Sequence, residues 1–310
     1  MKFLVWGWKG WIGEQVMTHL KEAGHDPVGA ASRADDENAV AAELDSVKPD
    51  RSICLIGRTR GGDFLTIDYL EQKGKIKENV QDNLWGPIVI AYQSSARGIH
   101  TTYMGTGCIF HFDEDKHKMA DGSAGVGFTE DDNANFFGSA YSVVKGFTDR
   151  LMRMMFATKV LNVRIRMPIT PDDSPYNFIT KIVNYDKVVN IPNSMTVLPA
   201  LIPVMCDLSV KETPGTVNLT HPGAISHNEV LALYKKHVDP EYTWQNFTIE
   251  EQDKILLSAR SNNLLATDRL KALAPGVDDI HTAVEKVCIE MGKRFPKGIK
   301  KPKAAAAGAC

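Results

Sequence analysis

The sequence predicts an α/β fold, a doubly wound parallel sheet with a smaller C-terminal lobe, and three observations support this prediction. Short runs with strand character alternate with longer helical segments through the first half of the chain, as in parallel βαβ units. A glycine-rich turn connects the first run directly to the first helical segment. From Pro168 onward proline becomes denser and the alternation gives way to short mixed elements. We therefore expect a first lobe over residues 1–167, a second lobe over 168–296 that is interleaved with it, and a disordered tail over 297–310.

The boundaries of the predicted elements follow the apolar runs and the Gly, Pro and capping residues beside them. Strands are predicted over residues 2–6, 27–31, 52–56, 100–104 and 161–165. Helices are predicted over residues 11–23, 37–47, 79–96 and 138–157. Residues 111–134 are rich in charged residues and Gly and show little periodicity, so we expect a polar surface loop there.

The composition excludes several classes of protein. With 310 residues, of which 43% are hydrophobic and 24% charged, the chain is neither a small disulfide-stapled scaffold nor a disordered segment. Its apolar runs stay well short of the ~20 residues that cross a bilayer, so no membrane span is expected. A net charge of −2 gives no electrostatic footprint for nucleic acid, and the basic run over residues 293–303 is interpreted as a solvated terminus.

The cysteines and the N-terminus indicate the cellular compartment in which the protein is expected. Five widely spaced cysteines without a Cys-x-x-Cys pair argue against a disulfide framework and against a structural zinc site. The N-terminus lacks the long apolar stretch of a signal peptide, so we expect a cytoplasmic protein. His111, His117 and the acidic residues around them match no metal-ligand spacing, and no metal is expected.

The glycine-rich turn predicts a Rossmann-type nucleotide-binding lobe. Gly7-Trp8-Lys9-Gly10-Trp11-Ile12-Gly13 follows the first predicted strand and opens the first predicted helix. Glycines there allow a tight turn and a close approach of the backbone to a pyrophosphate, which the helix N-terminus stabilises. The spacing resembles that of extended short-chain dehydrogenase/reductases. The residues expected to bind the cofactor are Gly7, Gly10, Trp11, Ile12 and Gly13.

The end of the second predicted strand favours NADP(H) over NAD(H). An acidic residue at this place bonds the 2′-hydroxyl of the adenosine ribose, whereas an arginine accommodates a 2′-phosphate. The strand ends at Ala31-Ser32-Arg33. Arg33 and Ser32 are therefore predicted to contact the 2′-phosphate of NADPH, with a solvated mixed-charge turn beside Asp35 and Asp36 as the alternative.

A tyrosine and a lysine indicate the chemical centre. Tyr141 and Lys145 place a phenol and an ammonium one turn apart on the same face of a predicted helix. The lysine cation is expected to lower the pKa of Tyr141 toward working pH, which suits a proton donor to a nascent alkoxide. Thr106 and Cys108 follow the fourth predicted strand, at the sheet edge where α/β ligand sites form. Thr106 would bond a substrate carbonyl, and Cys108 either fills the core or exchanges protons beside that carbonyl.

Several segments resemble those of the nucleotide-sugar 3,5-epimerase/4-reductases of rhamnose biosynthesis, which belong to the extended short-chain dehydrogenase/reductase superfamily. The resemblance runs from Gly7 to about Leu273 and is weaker over residues 52–75 and 111–127. The matching segments are Thr106-Gly107-Cys108-Ile109-Phe110, Asn135-Phe136, Gly138-Ser139, Tyr141-Ser142, Arg164-Ile165-Arg166-Met167-Pro168-Ile169, Asn177-Phe178-Ile179-Thr180-Lys181, Asn190-Ile191-Pro192-Asn193-Ser194-Met195-Thr196-Val197-Leu198, Ser226-His227-Asn228-Glu229 and Arg260-Ser261-Asn262-Asn263.

The resemblance implies a two-step conversion of UDP- or dTDP-4-keto-6-deoxy-D-glucose into the corresponding nucleotide L-rhamnose. Cys108 and Lys181 would form the acid/base pair that removes and returns the C3 and C5 protons, which the C4 ketone acidifies. NADPH would then reduce C4, with Tyr141 as the proton donor and Lys145 on the nicotinamide ribose. One active site would serve both steps, and the choice between UDP and dTDP stays open.

An anionic nucleotide-sugar substrate needs amide and cationic donors, and Asn177 and Arg260 are the candidates. A surface ion pair is the alternative for Arg260. One of Arg164 and Arg166 is also expected to face the site.

The resemblance also implies partners. Gly107-Cys108 stands where related 4,6-dehydratases carry an acidic pair, so a separate dehydratase would supply the keto-sugar. Relatives dimerise through two long helices, so we expect a homodimer built on residues 79–96 and 138–157.

Two alternatives belong to other classes of protein. An NADPH-binding redox sensor or scaffold without turnover would have lost the Tyr or the Lys, but Tyr141, Lys145, Thr106 and Cys108 are all present. An RNA-associated protein would use the basic tail, whose six Lys and Arg residues would bind only weakly and in a salt-sensitive way.

Overall fold

A six-stranded parallel sheet forms the centre of the protein. The computed structural model describes residues 1–113, 117 and 125–299. Its strands are β1 (Lys2–Trp6), β2 (Asp26–Gly29), β3 (Arg51–Cys54), β4 (His100–Thr106), β5 (Val160–Ile165), β6 (Pro168–Ile169), β7 (Lys187–Val188), β8 (Thr196–Val197), β9 (Gly215–Asn218) and β10 (Gln245–Asn246). The main sheet has the order β2-β1-β3-β4-β5-β9 with every pair parallel. Two smaller parallel pairs, β6 with β8 and β7 with β10, lie outside it.

Helices connect these strands. They are α1 (Trp11–Glu22), α2 (Glu37–Val47), α3 (Ile76–Val80), α4 (Gly86–Ala96), α5 (Ala140–Met155), α6 (Phe178–Val183), α7 (Leu198–Val210), α8 (His227–His237), α9 (Ile249–Asp253), α10 (Asp268–Leu273) and α11 (Ile280–Arg294). A 3-10 turn (Ile67–Glu71) precedes α3, and a π-helical turn (Gln81–Trp85) joins α3 to α4. None of the helices in the described part of the chain is long and apolar enough to cross a bilayer.

Both faces of the sheet are buried, because alternate side chains of each strand point to opposite faces. In β1, Phe3 and Val5 pack with residues of α1 and α7, whereas Leu4 and Trp6 pack with residues of α2 and α4. Helices on both faces of a parallel sheet confirm the predicted doubly wound α/β fold.

The second predicted strand ends two residues early, for a local reason. The backbone N–H groups of Ala31 and Ser32 donate to the two carboxylate oxygens of Glu43 on α2, at 2.7 and 2.8 Å. These groups therefore do not extend the hydrogen-bond ladder between β2 and β1. The strand therefore ends before this point, and Arg33 lies exposed at the surface beyond it.

The helix predicted over residues 79–96 is interrupted by the π-helical turn. Pro87 has no N–H group to donate to the carbonyl of Asn83, four residues earlier. That carbonyl instead accepts a hydrogen bond from the hydroxyl of Thr148 on α5, at 2.6 Å. This hydrogen bond links the π-helical turn before α4 to α5, the helix that carries Tyr141 and Lys145.

A separate hydrophobic core lies in the second half of the chain, between α6, α8, α11 and the small strands. Residues of α7 and β9 are excluded from it and pack with the main sheet instead. The chain therefore returns to the first lobe over residues 198–218 before it completes the second lobe. Its last described residue, Ile299, donates its N–H to the hydroxyl of Tyr234 at 2.9 Å, while residues 300–310 of the predicted tail lie outside the described residues.

The polar surface loop expected over residues 111–134 is wrong for part of this segment. Phe128 and His117 are buried, and their rings stack with centroids 3.6 Å apart. Phe128 also stacks on Phe110, so this segment covers a small hydrophobic core of its own. Residues 114–116 and 118–124 of the predicted loop lie outside the described residues.

Candidate active site

A cavity of about 680 Å³ lies along the carboxyl ends of β1, β3 and β4, and residues of the second lobe bound its other side. This is the edge at which ligands bind in open parallel sheets. The predicted site residues that line it are Gly7, Gly10, Trp11, Ile12, Gly13, Thr106, Cys108, Tyr141, Lys145, Lys181 and Arg260.

The glycine-rich turn fits a diphosphate at the N-terminus of α1. Gly7 has φ +82°, and a Cβ atom there would lie 3.0 Å from the carbonyl of Leu55. A Cβ atom on Gly13 would lie 2.2 Å from the carbonyl oxygen of Gly7, so only glycine allows the helix to pack this closely on the turn. No side chain caps α1 at Gly10. The N–H groups of the first turn and the helix dipole therefore point to an anionic ligand.

Strand β4 brings Thr106 and Cys108 to the wall of the cavity. The Oγ1 atom of Thr106 accepts a hydrogen bond from the backbone N–H of Cys108 at 3.0 Å, and Thr106 also bonds the hydroxyl of Tyr141. The hydroxyl of Ser142 donates to the carbonyl of Cys108 at 2.7 Å, which ties α5 to the turn after β4. Cys108 is half-buried, whereas the other described cysteines are buried. Its thiol is therefore the one that a ligand in the cavity can reach.

Tyr141 lies in the first turn of α5. Ser139 caps the N-terminus of this helix, because its hydroxyl accepts a hydrogen bond from the N–H of Ser142 at 3.0 Å. Burial raises the pKa of Tyr141, and the neighbouring Cys108 raises it further against the lowering effect of Thr106. The prediction that Lys145 lowers this pKa is wrong, because the phenol is buried and the ammonium of Lys145 donates to Tyr103. Tyr141 is thus a protonated phenol at neutral pH, the form that donates a proton.

Lys145 is enclosed one turn further along α5. Burial lowers its pKa to about 8, although Cys54, Asp149 and Cys108 act in the opposite direction. Its ammonium donates to the hydroxyl of Tyr103 and lies 4.7 Å from the centroid of that ring. Lys145 therefore carries its charge at neutral pH and loses it in mildly alkaline solution.

Arg166, just after β5, faces the cavity, whereas Arg164, within β5, does not. Arg164 pairs with Asp149 through two bonds of 2.8 Å, away from the cavity. Arg166 is fully buried, and its Nη1 atom lies 3.8 Å from the sulfur of Cys108. Within the described residues no carboxylate pairs with Arg166, which donates instead to oxygens of Ser261 and Asn193. A guanidinium so placed stabilises negative charge that develops on the Cys108 sulfur.

The second lobe contributes Lys181 on α6 and His227 at the start of α8. Burial lowers the pKa of His227 to about 4, so this imidazole is neutral at physiological pH.

Arg260 pairs with Asp68 at 2.6 Å, and both side chains are largely buried. Arg260 itself lines the cavity, and its pair with Asp68 is buried and not at the surface as the alternative expected.

Three predicted site residues do not line the cavity. The amide of Asn177 caps α6 and is fully engaged, since it accepts from the N–H groups of Thr170 and Ile179 and donates to nearby oxygens of the same loop. The hydroxyl of Ser32 accepts from the indole of Trp6 at 3.1 Å. Arg33 is 75% exposed and pairs with Asp35 at 3.0 Å. The structure therefore gives Asn177 a structural role and leaves Arg33 at the surface beside β2.

The comparisons with known proteins support the resemblance seen in the sequence. No family model matches the chain. The protein L780 of Acanthamoeba polyphaga mimivirus is 53% identical over 291 residues, which cover 94% of this chain and 99% of L780. The crystal structure of the L780 UDP-rhamnose synthase superposes with a TM-score of 0.89 at 52% identity, covering 94% of this chain and 99% of that one.

A plant relative decides the family. The bifunctional dTDP-4-dehydrorhamnose 3,5-epimerase/dTDP-4-dehydrorhamnose reductase of Arabidopsis thaliana is 36% identical over 293 residues, 94% of both chains. The chain belongs to this family of epimerase/reductases. A trifunctional UDP-glucose 4,6-dehydratase/UDP-4-keto-6-deoxy-D-glucose 3,5-epimerase/UDP-4-keto-L-rhamnose-reductase of the same plant is 37% identical, but the enzyme described here covers only 42% of it. The family predicted from the sequence is thereby confirmed.

Two features of the site were not predicted: the hydrogen bond that holds the ammonium of Lys145, and two arginines after β3. Tyr103 on β4 accepts a hydrogen bond from Lys145. A tyrosine in a strand that is buried along its whole length is the sequence feature that could have indicated such a contact. Arg58 and Arg60 line the cavity just after β3, within the segment that resembles the family less well. Two arginines at the carboxyl edge of a parallel sheet are the signal that could have identified them.

Proposed function

We propose that the enzyme converts UDP-4-keto-6-deoxy-D-glucose into UDP-L-rhamnose and that NADPH is its reductant. The observation that carries the proposal is that Thr106, Cys108, Tyr141, Lys145 and Lys181 line one cavity together with the glycine-rich turn. Both reactions can then take place without release of an intermediate. UDP is preferred over dTDP because the mimivirus relative at 52% identity is a UDP-rhamnose synthase.

The epimerisation needs a base, an acid and a group that stabilises an enolate. Thr106 and the phenol of Tyr141, which bond each other in the structure, would donate to the C4 oxygen as negative charge develops on it. Cys108 and Lys181 would remove the protons at C3 and C5 and return them on the opposite face. Arg166 would support Cys108 by stabilising the charge on its sulfur.

The reduction reuses the same residues. NADPH supplies a hydride to C4 when bound. Tyr141 would give its phenolic proton to the alkoxide oxygen, and it is protonated at neutral pH because burial raises its pKa. The ammonium of Lys145, held by Tyr103, would bond the nicotinamide ribose and stabilise the phenolate that remains.

Two partners belong to the proposal. A 4,6-dehydratase must supply the keto-sugar, and the trifunctional plant relative carries such an activity in its own chain. The protein would form a homodimer through α4 and α5, because their outer faces expose the large apolar side chains of Tyr92, Phe147 and Met154. The described cysteines are unpaired, which suits the reducing cytoplasm.

The test is the product formed from each keto-sugar. The enzyme is incubated with NADPH and either UDP- or dTDP-4-keto-6-deoxy-D-glucose, and the product is identified by NMR. We expect L-rhamnose on the nucleotide, formed faster from the UDP substrate. Tyr141→Phe keeps the ring and removes the proton donor, so its rate of NADPH oxidation should fall by at least ~100-fold while NADPH still binds. An unreduced or D-configured product from the wild-type enzyme would contradict the proposal.

A further inference from the structure

Arg60 lines the cavity and has no acidic partner among the residues that the structure describes. It follows β3 in a loop that lines the cavity, and its guanidinium carbon lies 3.3 Å from the centroid of the Tyr176 ring. Across the described residues no carboxylate comes within ion-pair distance of this guanidinium. Its neighbour Arg58, by contrast, pairs with Asp82 at 2.5 Å and with Glu78 at 3.7 Å.

A half-buried cation in this position would be stabilised by a bound anion. Arg60 is half-buried, and burial lowers the pKa of its guanidinium. Stacking on Tyr176 leaves the edge of the guanidinium plane, where its N–H groups point, available for an acceptor. An arginine held flat on a ring offers two parallel N–H groups to phosphate oxygens, with little side-chain entropy left to lose.

The position of the stack indicates which anion it meets. Tyr176 lies between β6 and α6, and its ring centroid is 6.1 Å from that of Trp11, the first residue of α1. Arg60, Tyr176 and Trp11 therefore form one row that ends at the glycine-rich turn. The stack also joins the loop after β3 in the first lobe to the second lobe.

We propose that Arg60 binds a diphosphate in this cavity and that Tyr176 is the positioning residue that orients it. The inference rests on the proposed function, in which both NADPH and the nucleotide sugar carry a diphosphate. The row toward Trp11 and the glycine-rich turn assigns Arg60 to the diphosphate of NADPH.

Binding titrations with NADPH and with UDP, each in the absence of the other, distinguish the two sources. Arg60→Met keeps an unbranched apolar side chain in place of the arginine stem and removes the charge, and it should raise the Kd for NADPH by roughly 10- to 100-fold. The Kd for UDP should change by no more than about twofold. The slope of log Kd for NADPH against log salt should also become shallower in Arg60→Met, because one charge contact is lost.

Four further variants distinguish the effect of the Arg60 charge from the effect of its position. Arg60→Lys keeps the charge without the planar stack and should weaken NADPH binding by a smaller factor than Arg60→Met does. Tyr176→Phe keeps the ring and should bind NADPH as the wild type does, whereas Tyr176→Ala should approach Arg60→Met. Arg97→Met removes an arginine that pairs with Asp45 outside the cavity and should leave both affinities unchanged.

The outcomes are decisive in either direction. A loss of NADPH affinity at least about fivefold larger than the loss of UDP affinity supports the proposal, provided that thermal melts show each variant to be folded. Any smaller difference between the two losses, a larger loss for UDP, or no loss overturns it. A wild-type enzyme that binds neither ligand would contradict the proposed function itself, so the two failures are distinguishable.

Discussion

Tyr103 and Lys145 are joined by a hydrogen bond inside the protein, although one lies on β4 and the other on α5. Both side chains are almost completely buried, and burial raises the pKa of Tyr103 well above its ordinary value. Tyr103 therefore stays neutral and offers the Lys145 ammonium both an oxygen acceptor and the face of its ring. Tyr103 thus stabilises the charged form of Lys145, one turn from Tyr141, where burial alone would favour the neutral amine.

Tyr103→Phe should narrow the pH range of the reductase. The pKa of Lys145 is about 8, so the ammonium is lost as the pH rises through that value. Removing the acceptor favours the neutral amine, and the alkaline limb of the kcat profile should move to lower pH by about one pH unit. The measurement is NADPH oxidation from pH 6 to 10. Tyr234→Phe, in a tyrosine outside the cavity, should leave the profile unchanged, and an unchanged profile in Tyr103→Phe would remove Tyr103 from this role.

Arg33→Asp should discriminate against NADPH. An arginine beside β2 would bond the 2′-phosphate, and the acidic replacement adds repulsion to the lost attraction. The Kd for NADPH should rise by about 30-fold or more, which corresponds to about 2 kcal/mol for one charged contact, while the Kd for NADH changes little. Asp35→Asn is the control, because it breaks the Arg33–Asp35 pair and keeps the arginine. Equal affinity for NADPH in Arg33→Asp and wild type would refute the assignment.

Asp149→Asn should destabilise the fold through a buried ion pair. Both carboxylate oxygens of Asp149 accept from Arg164 at 2.8 Å, and both side chains are buried. Removing one charge leaves the other buried and unpaired, which costs about 3–5 kcal/mol. Urea unfolding should show this loss. Glu285→Gln, which disrupts an exposed pair with Lys236, should cost less than about 1 kcal/mol, and a similar small effect for Asp149→Asn would contradict the argument.

The parts of the site that could be predicted from the sequence are those that neighbouring residues build. The glycine-rich turn between β1 and α1 and the pair Tyr141 and Lys145 on α5 depend on spacings of a few residues. Parallel strands then bring these segments to one edge of the sheet, so their meeting in one cavity also follows from the predicted fold.

The parts that could not be predicted depend on contacts between segments far apart in the chain. No local pattern pairs Tyr103 with Lys145, or Arg60 with Tyr176. The pKa of Tyr141 was predicted in the wrong direction because spacing shows where a charge is but not how deeply the phenol is buried. The capping of α6 by Asn177 was not predicted either, because it depends on the fold of its own loop.

In the proposed mechanism, Cys108 distinguishes an epimerase/reductase from a simple ketoreductase with the same fold. Its half-buried thiol lines the cavity with Arg166 Nη1 at 3.8 Å, and Lys181 lines the same cavity from α6. Cys108→Ser preserves the size of the side chain, but a serine hydroxyl is far too weak an acid to carry the proton at neutral pH. In the proposed mechanism the hydride transfer relies on Tyr141 and Lys145, which the variant retains.

Cys108→Ser should therefore lose the exchange of substrate protons with solvent while it still oxidises NADPH. Incubating the keto-sugar with the enzyme in D₂O and reading deuterium at C3 and C5 by NMR measures the exchange directly. We expect a fall of at least ~100-fold, because general acid/base catalysis typically contributes that much. The variant should slowly form a 6-deoxy sugar of the D-series in place of L-rhamnose. Lys181→Ala should impair the same exchange, and wild-type deuterium incorporation in both variants would mean that other residues move these protons.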